Sequence, residues 1–120
     1  MSGTTQLPPN IQEKLTRLQQ LQNTLQQLML QKQRLELELS ESERALKTLE
    51  NVPSDAKVYK SAGAILVEKE KEDVVKELKE RQEFLELRSK VLSKQEGNTR
   101  ERLTSLQESL QKEINLQARS

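Results

Sequence analysis

The side chains that most enzymes use for catalysis are largely missing from this chain. It contains no Cys and no His, which removes thiol nucleophiles, imidazole bases, disulfides and nearly every zinc or transition-metal site. Acid-base or metal chemistry would depend on Asp and Glu alone, and a pair such as Glu70 and Glu72 is typical of a solvated, charged helix face. The sequence has no Gly-rich phosphate-binding motif. It therefore predicts neither an enzyme nor a cofactor.

The overall composition indicates helices with a thin core. Of the 120 residues, 32% are hydrophobic and 2% aromatic, against roughly 45–50% apolar in an ordinary globular protein. Charged residues make up another 32%, with both signs interspersed and a net charge of +1, which argues against nucleic-acid and anionic-membrane partners. No apolar run approaches the ~18 residues of a membrane span. The chain length predicts a single domain over residues 1–120. Because the N-terminus lacks the regions of a secretory signal, we expect this domain to be cytoplasmic.

The first half of the chain carries an unbroken heptad pattern. Asn10 and Glu13 resemble a helix N-cap and its capping-box partner, following a flexible, proline-containing tail over residues 1–9. Pro53 and the turn signal after it end the helix, which we place over residues 10–51. The a and d positions form a mostly apolar seam: Ile11, Lys14, Leu18, Leu21, Leu25, Leu28, Lys32, Leu35, Leu39, Ser42, Leu46 and Leu49.

A second, weaker heptad pattern predicts a helix over residues 70–118. Glu72 and Asp73 suit the positive end of the helix dipole at its start. Gly97 interrupts the pattern at a cost of about 1 kcal/mol, and is either a tolerated glycine or the site of a bend. The second seam comprises Val75, Leu78, Gln82, Leu85, Ser89, Leu92, Glu96, Thr99, Leu103, Leu106, Leu110 and Glu113.

The two seams have equal length and a short connection joins them. An antiparallel hairpin of helices is the economical arrangement, and it forms a two-helix coiled coil. In this arrangement Leu39 lies near Leu85, and the polar Ser42 falls beside Gln82. A parallel homodimer of long helices is the alternative, which the break at Pro53 makes less natural.

The segment between the helices, residues 52–69, differs from the rest of the chain. Its "VYKSAGAILVEK" collects β-branched residues and one tyrosine around a glycine turn, which favours a β-hairpin with strands "KVYKS" and "GAILVE"; alternatively, "AILV" starts the second helix. A lone two-stranded hairpin is marginal in water and has open edges. We therefore expect hairpins of several subunits to close into a β-barrel. The expected oligomerisation residues are Val58, Tyr59, Gly63, Ile65, Leu66 and Val67.

These features together resemble the beta class of the prefoldin family, hexameric chaperones of archaea and eukaryotes. The resemblance covers residues 10–116 and rests chiefly on "VYK..G.ILV" between matched arms; alpha-class subunits carry two hairpins, whereas this chain has room for one. It implies a hexamer of two alpha and four beta subunits with coiled coils hanging from paired β-barrels. It also implies that the assembly holds non-native proteins without ATP and passes them to a group II chaperonin.

Apolar residues collect where the two helix termini are expected to meet. Some of them lie off the seam, so their apolar surface exceeds what two helices can bury in each other, and exposed apolar patches usually mark interaction sites. Helix ends also fray at little cost. By location these positions match the distal tips with which prefoldins capture clients. The predicted client-binding residues are Ile11, Leu15, Leu18, Leu103, Leu106, Leu110, Ile114 and Leu116.

Two surface features and two other functions stay open at this point. The stretch from Leu18 to Gln31 has no charged residue, and is either a neutral solvated face or an adhesive one. Phe84, Leu87 and Val91 form an outward stripe that contacts a neighbouring subunit or lines a cavity.

The alternatives to a chaperone are a structural or tethering coiled coil and a helical arm that binds nucleic acid. The mixed charges give no basic face for the second of these.

Overall fold

The computed structural model describes residues 7–119, in which two long helices flank one β-hairpin. The elements are α1 (Pro9–Glu50), β1 (Val58–Ala62), β2 (Ile65–Lys69) and α2 (Lys71–Arg119). This confirms the predicted mainly α fold, with two long helices and one β-hairpin inserted between them. The alternative in which "AILV" starts the second helix is wrong, because residues 65–69 form β2. Neither helix has an apolar stretch long enough to cross a membrane within residues 7–119.

The chain divides into two compact units. The hairpin unit comprises Lys32–Val91 and contains both strands. The terminal unit comprises Met1–Gln31 and Leu92–Ser120, of which residues 7–31 and 92–119 are described. Each unit contains part of α1 and part of α2.

The start of α1 differs from the prediction. Most of the flexible tail predicted over residues 1–9 lies outside the described residues, but Pro9 is already the first helical residue. Proline suits this position because its missing N–H would have had no helical partner and its fixed φ is helical. The Pro8 carbonyl accepts hydrogen bonds from the Ile11 and Gln12 amides, both at 3.0 Å. Asn10 therefore lies inside the first turn and is not the N-cap.

A short turn region joins the end of α1 to the hairpin. The Asn51 and Val52 amides bond back three residues, to Thr48 and Leu49, at 3.3 and 3.1 Å, which tightens the helix end before Pro53. The Lys71 ammonium, in the first turn of α2, donates to the Val52 carbonyl at 2.6 Å. This contact joins the end of α1 to the start of α2.

The hairpin is a two-stranded antiparallel sheet whose register pairs Val58 with Lys69 and Ala62 with Ile65. Gly63 and Ala64 form the turn, and Gly63 has φ +62°. A positive φ at the first turn residue followed by a negative one is the pattern of a type II′ turn, which favours glycine at that position. The small-residue turn thus sets the register.

The heptad register agrees with the burial of both helices, since every predicted seam position is buried or half-buried. In the hairpin unit, the buried seam residues are Leu35, Ser42, Leu49 and Leu85. In the terminal unit, they are Ile11, Leu92, Thr99, Leu106 and Leu110. The seams hold the core because heptad spacing keeps one stripe of each helix facing its neighbour.

Candidate functional site

The helix termini are joined by a polar network of four side chains, Asn10, Lys14, Ser109 and Glu113. The Lys14 ammonium donates to the Ser109 hydroxyl at 2.8 Å and to a Glu113 carboxylate oxygen. The Asn10 amide donates to the other Glu113 oxygen at 3.3 Å. These bonds place residues near the start of α1 opposite residues near the end of α2, so the helices of the terminal unit run antiparallel. A parallel homodimer is not needed to form the seam.

The predicted client-binding residues fall into two groups around this network. Three are exposed, with Leu15 at 39%, Ile114 at 45% and Leu116 at 66% relative accessibility. The other five lie in the seam: Ile11, Leu106 and Leu110 are buried, and Leu18 and Leu103 are half-buried. The first group is accessible in the folded chain, whereas the three buried residues become accessible only if the helices separate.

Leu7, which is not among the residues predicted from the sequence, is exposed and precedes α1. The Gln12 side chain donates to the Leu7 carbonyl at 2.7 Å, which holds this residue beside the first turn of the helix. An apolar residue just before a proline-initiated helix was the available signal. We call Leu7, Leu15, Ile114 and Leu116 the apolar tip.

The hairpin presents two different faces. Lys60, on one face, donates to a Glu77 carboxylate oxygen of α2 at 3.0 Å. This hydrogen bond and the charge of Lys60 lower the pKa of Glu77, with a smaller contribution from Lys69. Tyr59 and Leu66 alternate with Lys60 and its partner Val67 along the strands, so they lie on the opposite face.

Most of the predicted oligomerisation residues are accessible. Tyr59, Ile65 and Leu66 are exposed, whereas Val58 and Val67 are half-buried. Gly63 forms the turn. Within residues 7–119 each strand pairs along one edge only, which leaves the other edge available for a further strand.

The outward stripe is exposed as well. Phe84, Leu87 and Val91 each have more than half of their surface accessible. The Arg81 guanidinium lies 5.5 Å from the centre of the Phe84 ring and donates to Glu38 of α1 at 2.9 Å. Arg81 therefore covers part of the ring while joining the two helices of the hairpin unit.

The uncharged stretch of α1 also carries exposed apolar residues. Met29 and Leu30 are both exposed, and the Arg100 guanidinium of α2 lies 3.7 Å from the Met29 sulfur. In the part of the chain that the structure describes, no group of three or more acidic side chains is arranged to hold a metal ion.

Two antiparallel helices with one accessible hairpin between them define a class of coiled-coil subunit. Similarity to known proteins identifies the family within this class. The prefoldin subunit model matches residues 12–117. The beta subunit of prefoldin from Pyrobaculum neutrophilum is 44% identical over 109 residues, covering 91% of this chain and 86% of that protein. The one from Archaeoglobus fulgidus is 43% identical over 113 residues, covering 94% and 97%.

A solved structure agrees with these relatives. The crystal structure of the prefoldin beta subunit from Thermococcus strain KS-1 matches with a TM-score of 0.79 and 39% identity, covering 91% of this chain and 96% of that one. The chain therefore belongs to the prefoldin family of chaperone subunits. The resemblance to its beta class, predicted from the sequence, is confirmed.

Proposed function

We propose that this chain is a subunit of an ATP-independent chaperone that holds non-native proteins at its helix termini and delivers them to a group II chaperonin. The observation that carries the proposal is the exposed apolar tip, on a chain that belongs to the prefoldin family. Apolar side chains left accessible at the helix ends offer a surface that an unfolded chain can cover. The four networked polar residues, Asn10, Lys14, Ser109 and Glu113, have a net charge of zero and impose little charge selectivity on such a client.

The test is aggregation of an unrelated denatured protein in the absence of nucleotide. We expect the wild-type chain to suppress it, and the triple variant Leu15→Ser, Ile114→Ser and Leu116→Ser to lose most of that suppression. A matched triple variant replaces Leu37, Leu87 and Val91, which are similarly exposed in the hairpin unit, by Ser. If this control lost as much protection as the tip variant, the helix termini would not be the client site.

Removing residues 1–18 and 103–120 gives a coarser version of the same test. This truncation should abolish protection while leaving assembly intact. A truncated chain that protects as well as the full chain would contradict the tip as the working surface. A full chain that assembles but never protects would favour a structural or tethering coiled coil instead.

The proposal includes assembly through the hairpin into a cytoplasmic hexamer of two alpha-class and four beta-class subunits. The accessible Ile65 and Leu66, together with the open strand edges, support assembly through the hairpin, and membership of the prefoldin family supports a mixed oligomer. Replacing both residues by Lys should release subunits while leaving most of the helix, as measured by native mass and circular dichroism. The control is Leu37→Lys, an equally exposed apolar position on α1. A native mass unchanged by the paired substitution would contradict barrel assembly.

Delivery requires a separate measurement. A labelled client bound to the assembled chaperone should transfer to an added group II chaperonin, detected by the mass of the labelled species. If the labelled client reached the chaperonin no faster from the chaperone than as free client in buffer, delivery would not be part of the function.

A further inference from the structure

We propose that the polar network of Asn10, Lys14, Ser109 and Glu113 is a latch that sets how readily the helix termini separate. It thereby controls how often the buried seam residues next to it, Ile11, Leu106 and Leu110, become accessible to a client. The link to clients rests on the proposed function, whereas the latch itself is a property of the helix pair.

The geometry gives the network its role. Lys14 and Glu113 both occupy seam positions, with side chains 25% and 26% accessible, where the heptad pattern would otherwise place leucine. Lys14 and Glu113 each bond two residues that lie one turn apart on the facing helix. Lys14 donates to Ser109 and Glu113, and Glu113 accepts from Asn10 and Lys14. Sliding either helix by one turn would break these bonds together. The network is therefore specific for one register.

Two of the buried apolar residues lie directly beside the network, one on each helix. Ile11 is 1% accessible and Leu110 is 4% accessible, and each is within four residues of a network member on its own helix. Beyond Glu113, α2 continues through Ile114 to Arg119, past the level at which α1 begins. The bonds of Asn10 and Lys14 to Glu113 therefore join the first turns of α1 to the last turns of α2.

A polar contact at this place combines register with easy opening. A partly exposed ion pair contributes little net stability, because desolvation of both charges offsets their attraction. Polar seam residues in coiled coils nonetheless specify register, at a cost in stability relative to apolar ones. An apolar pair at the same positions would close the termini more firmly. The latch therefore keeps the seam aligned while leaving it able to open.

The experiment measures amide hydrogen exchange by mass spectrometry in peptides covering residues 7–18 and 106–119 of the full-length chain. Glu113→Lys places two cations together in the seam, and we expect about tenfold faster exchange there, equivalent to ~1.4 kcal/mol. Its control, Glu13→Lys, makes the same charge change on an exposed pair with Arg17 outside the network, and should leave exchange unchanged.

Two double variants test the mechanism. Lys14→Glu with Glu113→Lys reverses the pair, and should restore slow exchange because the Ser109 hydroxyl and the Asn10 amide can each serve as donor or acceptor. Lys14→Leu with Glu113→Leu should slow exchange below the wild-type rate. Raising the salt concentration should speed exchange in the wild type, by screening the pair, and not in the leucine variant.

The amide hydrogen exchange rates alone test whether the network acts as a latch. Unchanged exchange in Glu113→Lys, or no recovery in the reversed pair, overturns it. Suppression of client aggregation should vary across the variants in the same order as opening. If exchange changes as expected but suppression does not follow, the latch stands and the proposed client site at the termini is what fails.

Discussion

Replacing each of two glycines by alanine should change stability in opposite directions. Gly97 lies inside α2 on its exposed side, and a Cβ atom added there would meet no atom within 4 Å. Alanine is more favourable than glycine in a helix interior by about 0.8–1.0 kcal/mol, because glycine loses more backbone freedom on folding. Gly97→Ala should therefore stabilise the chain by about that amount.

Gly63 is the matched contrast. A Cβ added there also meets nothing within 4 Å, so space is not the difference, but its φ is +62°. An L-residue in this conformation costs roughly 1–2 kcal/mol. The same chemical change should thus separate the two variants by about 2–3 kcal/mol, with the backbone conformation as the only cause.

The assay is urea unfolding followed by helical circular dichroism at one fixed protein concentration, because assembly makes apparent stability depend on concentration. A loss of stability in Gly97→Ala would refute the reasoning, since it would mean that something must approach the helix at this position. Equal stability of Gly63→Ala and the wild type would mean that the turn adopts a different conformation from the one described.

Two further outcomes follow from the contacts of the hairpin unit. Lys60→Met should return the pKa of Glu77, measured by NMR titration, towards its ordinary value of 4.5, whereas Lys69→Met should raise it less. Because the pKa of Glu77 is lowered in the folded chain, the ion pair stabilises the fold above the ordinary glutamate pKa, and this contribution is lost as pH falls through the lowered value; a titration identical in all three proteins would contradict the pairing. Leu85→Ala should cost about 2–5 kcal/mol in urea unfolding, since Leu85 is 3% accessible, while Leu87→Ala, at 64%, should stay within about 0.5 kcal/mol; equal losses would mean that the stripe is covered.

The limits of prediction are clearest at the start of α1. The pattern Asn10 and Glu13 fits a capping box, yet the helix begins at Pro9, and Asn10 uses its amide to bond Glu113 on the other helix. A capping motif describes local preference only. Here Glu113, distant in the chain, competes for the Asn10 side chain. The spacing of residues along the sequence does not show that competition.

The heptad pattern predicts which of the proposed client-binding residues lie in the seam, but not their polar surroundings. Heptad counting places Ile11 and Leu110 on the seam and Ile114 off it, which the burial of these residues matches. It does not indicate that Leu7 is held beside the helix, or that two charged seam residues would find each other across it. The pairing of the two charged residues depends on how far one helix is displaced along the other, whereas the Leu7 contact depends on the backbone conformation just before α1.

The sequence by itself determined the two helices, their apolar seams, the hairpin between them and the family to which they belong. These are properties of local periodicity and residue type, because a heptad repeat and a β-branched run around glycine restrict the backbone wherever they occur. Only the tertiary structure decided which polar side chains meet: Lys14 with Glu113, Lys60 with Glu77 and Arg81 with Glu38. Such pairs depend on stagger and orientation to within a few ångströms, which the pattern along one chain does not specify.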